Sequence, residues 1–167
     1  HMGIGFASSW VPEGAAPILA AMRTRAAARN REMVERINRH LDPVTVDYAR
    51  DVLPLTPAGN ATERHMLAAY LGAAASQPDP AGFWAGKLGL ARAEAAAAMA
   101  DAVKFQNLVR AKLMKRGGVG YVAPTPEAFP TAGEFHRLIT ACGALPCLAW
   151  LDGTSPGEAA AEELVAF

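Results

Sequence analysis

The sequence predicts a mainly α-helical chain that carries a small helix–strand–helix α/β element at its C-terminal end. Three observations predict it. Apolar residues recur at helical spacing over most of residues 17–118. Helix-start signals of the Ser/Thr/Asp/Asn type stand before those stretches. Only one run, Leu145 to Trp150, reads as a confident strand. The 167 residues are enough for one domain with a real core, and the hydrophobic fraction of 51% is ordinary for a soluble globular chain. Much of that fraction is alanine, which favours helix.

The chain reads as three parts: a cloning scar and irregular lead-in over 1–16, a helical region over 17–118, and a helix–strand–helix element over 119–167. His1-Met2 is the scar, and the chain is expected to be an excised piece of something longer, ending inside a helix. Pro17 suits a first helical turn. Ile18, Met22, Ala26, Met33, Ile37 and Leu41 follow on one side, and Asp42-Pro43 closes the helix. Its other side holds arginines and glutamates, with Glu32–Arg36 and Glu35–Arg39 at ion-pair spacing. Arg25 and Arg29 share one edge and are the exceptions that suit an anion.

"VTVDYARDVL" is left open between a short helix and an extended run. Asn60 is the expected cap of the next helix, with Glu63 completing a capping box. Asp79 and Pro80 open a short helix. Arg92 to Arg116 reads as one helix, closed by glycines. Thr131 and Glu134 form a second capping pair, and Gly143 ends that helix before the strand. Ser155, Pro156 and Glu158 open a last helix. A lone strand is no sheet, so residues 3–7 or 119–123, or another chain, must pair with it.

The 16 basic and 16 acidic residues cancel, which removes the usual electrostatic case for nucleic acid. No apolar stretch approaches the roughly 20 residues that span a bilayer. The start, "HMGIGF", does not read as a signal peptide, and two cysteines make no disulfide framework: Cys142 and Cys147 are expected to be buried thiols, and a reducing cytoplasm is the expected location. No local H-x-H, H-E-x-x-H, Walker loop or G-x-S-x-G occurs. "KRGGVGYV" has glycines but lacks the GK[ST] that grips phosphate. Of the histidines, His40 and His136 read as unremarkable, and His65 can aim at a site near a helix mouth. A complete catalytic constellation does not assemble from these residues.

The order of the weaker signals resembles the PHP (polymerase and histidinol phosphatase) metal-dependent phosphoesterases, in particular a nucleotide-cleaving branch whose barrel is interrupted by a helical segment. "MRTRAAARNREMVERINRHL" is similar to that segment's opening helix, and "GNATERHMLAAYL" looks like a diverged Gly-Arg-Pro-His approach to a helix. "RGGVGYVAPTPEAFPTAGEFHRLI" matches a glycine-rich stretch, and "LITACGALPCLAWLDG" a strand that ends Ala-His-Pro in the family. The likeness runs from about residue 17 to 155. It implies part of a barrel with its helical insertion, a metal ligand at His65, and phosphate contacts at Arg25, Arg29 and Arg64. It also implies a divalent metal (Mn, Zn or Mg) in the parent protein, the rest of that parent as partner, and a phosphorylated small molecule or nucleotide as substrate. Two departures matter. The family's strand histidine, a metal ligand, aligns with Trp150, which cannot ligate, and Asp152 is a poor substitute. The family's first H-x-H is absent. The expected role is therefore a substrate-capping segment, inactive in isolation, of a phosphoesterase that is itself degenerate if Trp150 has cost it its metal. The alternative is a non-catalytic helical protein-interaction module, with a partner or self-association surface where Trp84, Trp150 and the apolar C-terminal end lie exposed.

Overall fold

The computed structural model describes residues 2–147. Trp150, Asp152 and the expected last helix from Ser155 lie outside the described residues. The chain divides into two compact units, residues 23–128 and residues 1–22 with 129–167.

Five helices build the helical unit: α1 (Ala16–Leu41, from Arg23 on), α2 (Glu63–Ala75), α3 (Pro80–Leu88), α4 (Arg92–Met99) and α5 (Ala102–Met114). On α1, Met33, Val34, Ile37 and Leu41 are buried at the spacing of a single face, as the periodicity requires. Beyond the helix, Val44 and Val46 run on as buried extended chain. Asn38 holds that chain from both sides, its Nδ2 donating to the Val46 carbonyl at 2.9 Å and its Oδ1 accepting from the Val46 amide at 3.0 Å. The undecided stretch resolves as both readings in turn: extended to Asp47, then a π turn over Tyr48–Val52 and a 3-10 turn over Leu53–Leu55.

The core lies among these helices. Trp84 is 1% exposed, with Phe83 and Phe105 edge-on to its ring at 5.2 and 5.6 Å. This corrects the expectation that Trp84 is surface-exposed. The Tyr70 hydroxyl lies 2.8 Å from Asn38 Oδ1 and 3.0 Å from the Val34 carbonyl, so its one proton is satisfied although the ring is fully buried.

Two further expectations are corrected. Residues 92–116 are two helices, because Asp101 turns its carboxylate onto the Lys104 amide at 3.1 Å and caps a fresh start. The cap of α2 is Thr62, and His65 takes the third position where Glu63 was expected. The cap of α3 is as read: Asp79 accepts from the Gly82 amide at 3.0 Å, and Gly89 closes the helix at φ +67°. Of the two expected α1 ion pairs, Glu32–Arg36 forms at 2.6 Å and Glu35–Arg39 does not.

The terminal unit holds α6 (Ala132–Ala141) and two strands, β1 (Met2–Ile4) and β2 (Leu145–Cys147). The strand partner anticipated near residues 3–7 is β1, so the lead-in is not wholly irregular. The pair is antiparallel, with Met2 opposite Cys147, Gly3 opposite Pro146 and Ile4 opposite Leu145. α6 opens on the expected Thr131–Glu134 box, Thr131 Oγ1 accepting from the Glu134 amide at 3.2 Å. It covers the Gly3 side of the ribbon: a β-carbon on Gly3 would fall 2.5 Å from Ile139 Cδ1. The opposite side carries Met2, Ile4 and Leu145, all exposed.

Candidate functional site

The site residues read from the sequence gather at two places on the helical unit. The first is the mouth of α2. There the Thr62 amide donates to His65 Nδ1 at 3.1 Å, and the Thr62 hydroxyl lies 3.0 Å from the same nitrogen. An imidazole nitrogen that accepts a hydrogen bond carries no proton, so the neutral ring holds its proton on Nε2. A metal at Nε2 would need the other tautomer and would displace the cap.

Glu63, two residues before His65, is held by two cations. Glu63 Oε2 receives Arg110 Nε at 2.7 Å and Lys115 Nζ at 2.9 Å. Burial pushes the Glu63 carboxyl up, but the hydrogen bonds from Lys115 and Arg110 outweigh it and hold the group below the usual carboxylate range. Arg64 reaches across to α5, donating to Asn107 Oδ1 at 3.1 Å. Among the described residues no group of three His, Cys, Asp or Glu side chains comes together as a metal cage. Among the described residues His65 is thus a capping side chain with no set of metal-ligating groups gathered around it.

The second place is the edge of α1. Arg36 donates to the Tyr121 carbonyl. Arg29, one helical face further up, reaches the Val122 carbonyl with Nη2 at 3.4 Å, and its buried Nε has no partner. Arg25 follows one turn before, half-buried. Neither Arg25 nor Arg29 is paired with a carboxylate among the described residues. The glycine-rich stretch opposite serves packing: a β-carbon on Gly118 would fall 2.7 Å from the Leu113 carbonyl carbon, and one on Gly120 would strike the Ile37 side chain. The segment thus lies tight against α5 and α1, with the Gly120 amide donating to the Leu113 carbonyl at 2.7 Å.

The remaining candidates are committed elsewhere or open. His40 Nε2 lies 2.7 Å from the Lys87 carbonyl, and His136 is exposed. Cys142 and Cys147 are free thiols, half-buried rather than fully buried as expected. A half-open cavity of about 170 Å³ lies among Leu71, Trp84, Met99, Phe105 and Gln106, with no charged side chain to receive a phosphate. A wider one, about 510 Å³, is lined by Gly14, Ala15, Ile18, Arg137, Thr140 and Ala141.

Charge is distributed by unit in a way that the neutral total conceals. Residues 23–128 hold 15 basic and 10 acidic residues, net +5, and the rest of the chain holds 1 basic and 6 acidic, net −5. The field over the helical unit is accordingly that of a cationic body. No described helix is long and apolar enough to cross a membrane.

No family model, curated protein or solved structure matches the chain.

Proposed function

We propose that this chain is a non-catalytic accessory segment of a PHP-like metal-dependent phosphoesterase: a cap beside a phosphate-ester site, not the site itself. The observation that carries this reading is the state of His65. It stands where the family resemblance puts a ligand, yet its Nδ1 is engaged by the α2 cap, and the one carboxylate near it in sequence, Glu63, is taken by Arg110 and Lys115. Hydrolytic chemistry is therefore assigned to the rest of the parent protein, with a phosphorylated small molecule or nucleotide as substrate. The contribution of the helical unit is positive charge near the substrate, which its net +5 supports.

The test is metal binding and turnover together. Mn²⁺ and Zn²⁺ are titrated into the chain and into His65→Ala, and hydrolysis of p-nitrophenyl phosphate and a nucleoside monophosphate is followed. The expected result is no stoichiometric metal and no turnover in either protein. One equivalent of metal bound by the unaltered chain and lost in His65→Ala, with hydrolysis, would replace this reading by a self-contained metalloenzyme.

A second reading, a helical protein-interaction module, is favoured by one observation: the bare side of the β1–β2 ribbon. Met2, Ile4 and Leu145 are 49%, 53% and 69% exposed there. Sedimentation over a range of concentrations separates the readings, because this one requires association that Leu145→Lys abolishes.

A further inference from the structure

We infer that the half-open cavity between the end of α2, the start of α3 and the α4–α5 break is a binding site for a neutral, single-ring aromatic molecule of the phenol class. The inference goes beyond the accessory reading and does not rest on it: Leu71 and Ala75 set the cavity towards the opposite end of α2 from His65. Its size selects the ligand first. The cavity holds about 170 Å³. Apolar cavities of about 150 Å³ take up benzene, whereas drug-sized ligands occupy roughly 300 Å³ or more. One ring fits, and a nucleotide does not. The innermost lining is aromatic. Trp84 and Phe105 are 1% and 6% exposed, and their rings meet edge to face at 5.6 Å and 84°. A third ring adds to such a pair through the same edge and face contacts, and the Met99 thioether is a further favourable neighbour for it.

The lining also excludes. Among the described residues no charged side chain lines the cavity, so a charged ligand would give up its hydration with nothing to replace it. The two acids next in sequence to lining residues are engaged elsewhere, Asp79 with Arg92 at 3.0 Å and Asp101 with Lys104 at 3.2 Å. The polar side-chain groups of the lining are the Gln106 amide, both donor and acceptor, and the Trp84 indole N–H, a donor only. Such a lining can satisfy one hydroxyl on the ligand, and a phenol hydroxyl, with a pKa of about 10, stays neutral at physiological pH. Small residues keep the mouth open: Ala75 ends α2 and Ala102 begins α5, and both are exposed. Met99 ends α4, so the cavity sits at the break that Asp101 caps.

The experiment is a fluorine NMR titration of 4-fluorophenol with the full chain, with the indole N–H signals followed in the same samples. The expected result is a saturable shift of the fluorine resonance and of the Trp84 indole N–H, with the exposed Trp10 unmoved. Benzoate and cyclohexanol should compete at least tenfold more weakly than phenol. Ala75→Phe and Ala102→Leu each fill the mouth and should weaken binding at least tenfold. Their melting temperatures should be unchanged or higher, which shows that the variants are folded. Gln106→Leu should weaken 4-fluorophenol and leave fluorobenzene unaffected, a split that a merely structural role would not produce. No saturable shift, or binding kept by both mouth variants, overturns the site. Benzoate competing as well as phenol overturns the preference for a neutral ligand. Cyclohexanol competing as well as phenol overturns the aromatic assignment, in favour of an unselective apolar void. None of these outcomes touches His65 or metal, so the accessory reading stands or falls by its own test.

Discussion

The helical unit and the terminal unit solve the problem of burial differently. In residues 23–128, nineteen buried side chains from α1, α2, α3, α5, the extended run and π turn after α1, and Val122 form one continuous cluster, and the Tyr70 hydroxyl within it has partners of its own. In the described part of the terminal unit, burial is confined to Ala15, Leu138, Ile139 and Ala144, while Met2, Ile4, Phe6, Trp10, Phe129 and Leu145 stay exposed. Two three-residue strands under one helix cannot shield more than one side of the ribbon. The contrast teaches that the helical unit is organised about itself, whereas the ribbon has a side still open to cover.

The largest expected effect breaks the cluster. Trp84→Ala removes a fully buried ring and the edge contacts to Phe83 and Phe105, and should cost about 3–5 kcal/mol. Urea unfolding followed by circular dichroism measures it, and a loss under 1 kcal/mol would show that this cluster is not what holds the helical unit. Next is Tyr70→Phe, which removes the single hydroxyl proton shared between the Val34 carbonyl and Asn38 Oδ1, the latter still accepting from the Val46 amide; a loss of about 1 kcal/mol is expected in the same assay.

His65→Ala should cost about 1 kcal/mol by uncapping α2. An unchanged midpoint would mean that the imidazole is not engaged there. Glu63 gives a smaller, pH-dependent effect. Its folded carboxyl titrates below its unfolded value of 4.5, so its contribution is present above pH 4.5 and is lost as pH falls through the lower folded value. Glu63→Gln should flatten that acid limb by up to about 1 kcal/mol, and an unaltered limb would assign the acid sensitivity to other carboxylates. The smallest effect on stability belongs to the ribbon: Ile4→Thr with Leu145→Ser should change it by less than about 0.5 kcal/mol. A larger loss would mean that the open side is already covered, and would remove the contrast between the units.

Local chemistry was legible in the sequence wherever one residue and its near neighbours decide the outcome. Asp79 with Pro80, Thr131 with Glu134, and the buried stripe Met33, Ile37, Leu41 all appear as read. The break at Asp101 was missed because the alanines before it carry high helix propensity, although an aspartate three residues before Lys104 is itself a start signal. His65 as a cap was missed because the usual partner at that position is Glu or Gln. The burial of Trp84, the unpartnered buried Nε of Arg29 and the split of charge between units depend on which distant segments meet, and no local pattern encodes that. The shared edge of Arg25 and Arg29 follows from helix geometry, but the missing partner of Arg29 Nε requires the fold.

The glycines at 118 and 120 have a practical corollary. Both are confined by neighbouring atoms, whereas Val119 between them is 44% exposed. A reporter group fixed at Val119 would sit on a backbone locked at both sides, three residues from the Val122 carbonyl that touches Arg29. It would register a change in how that segment packs on α1 and α5, without altering any side chain of the core.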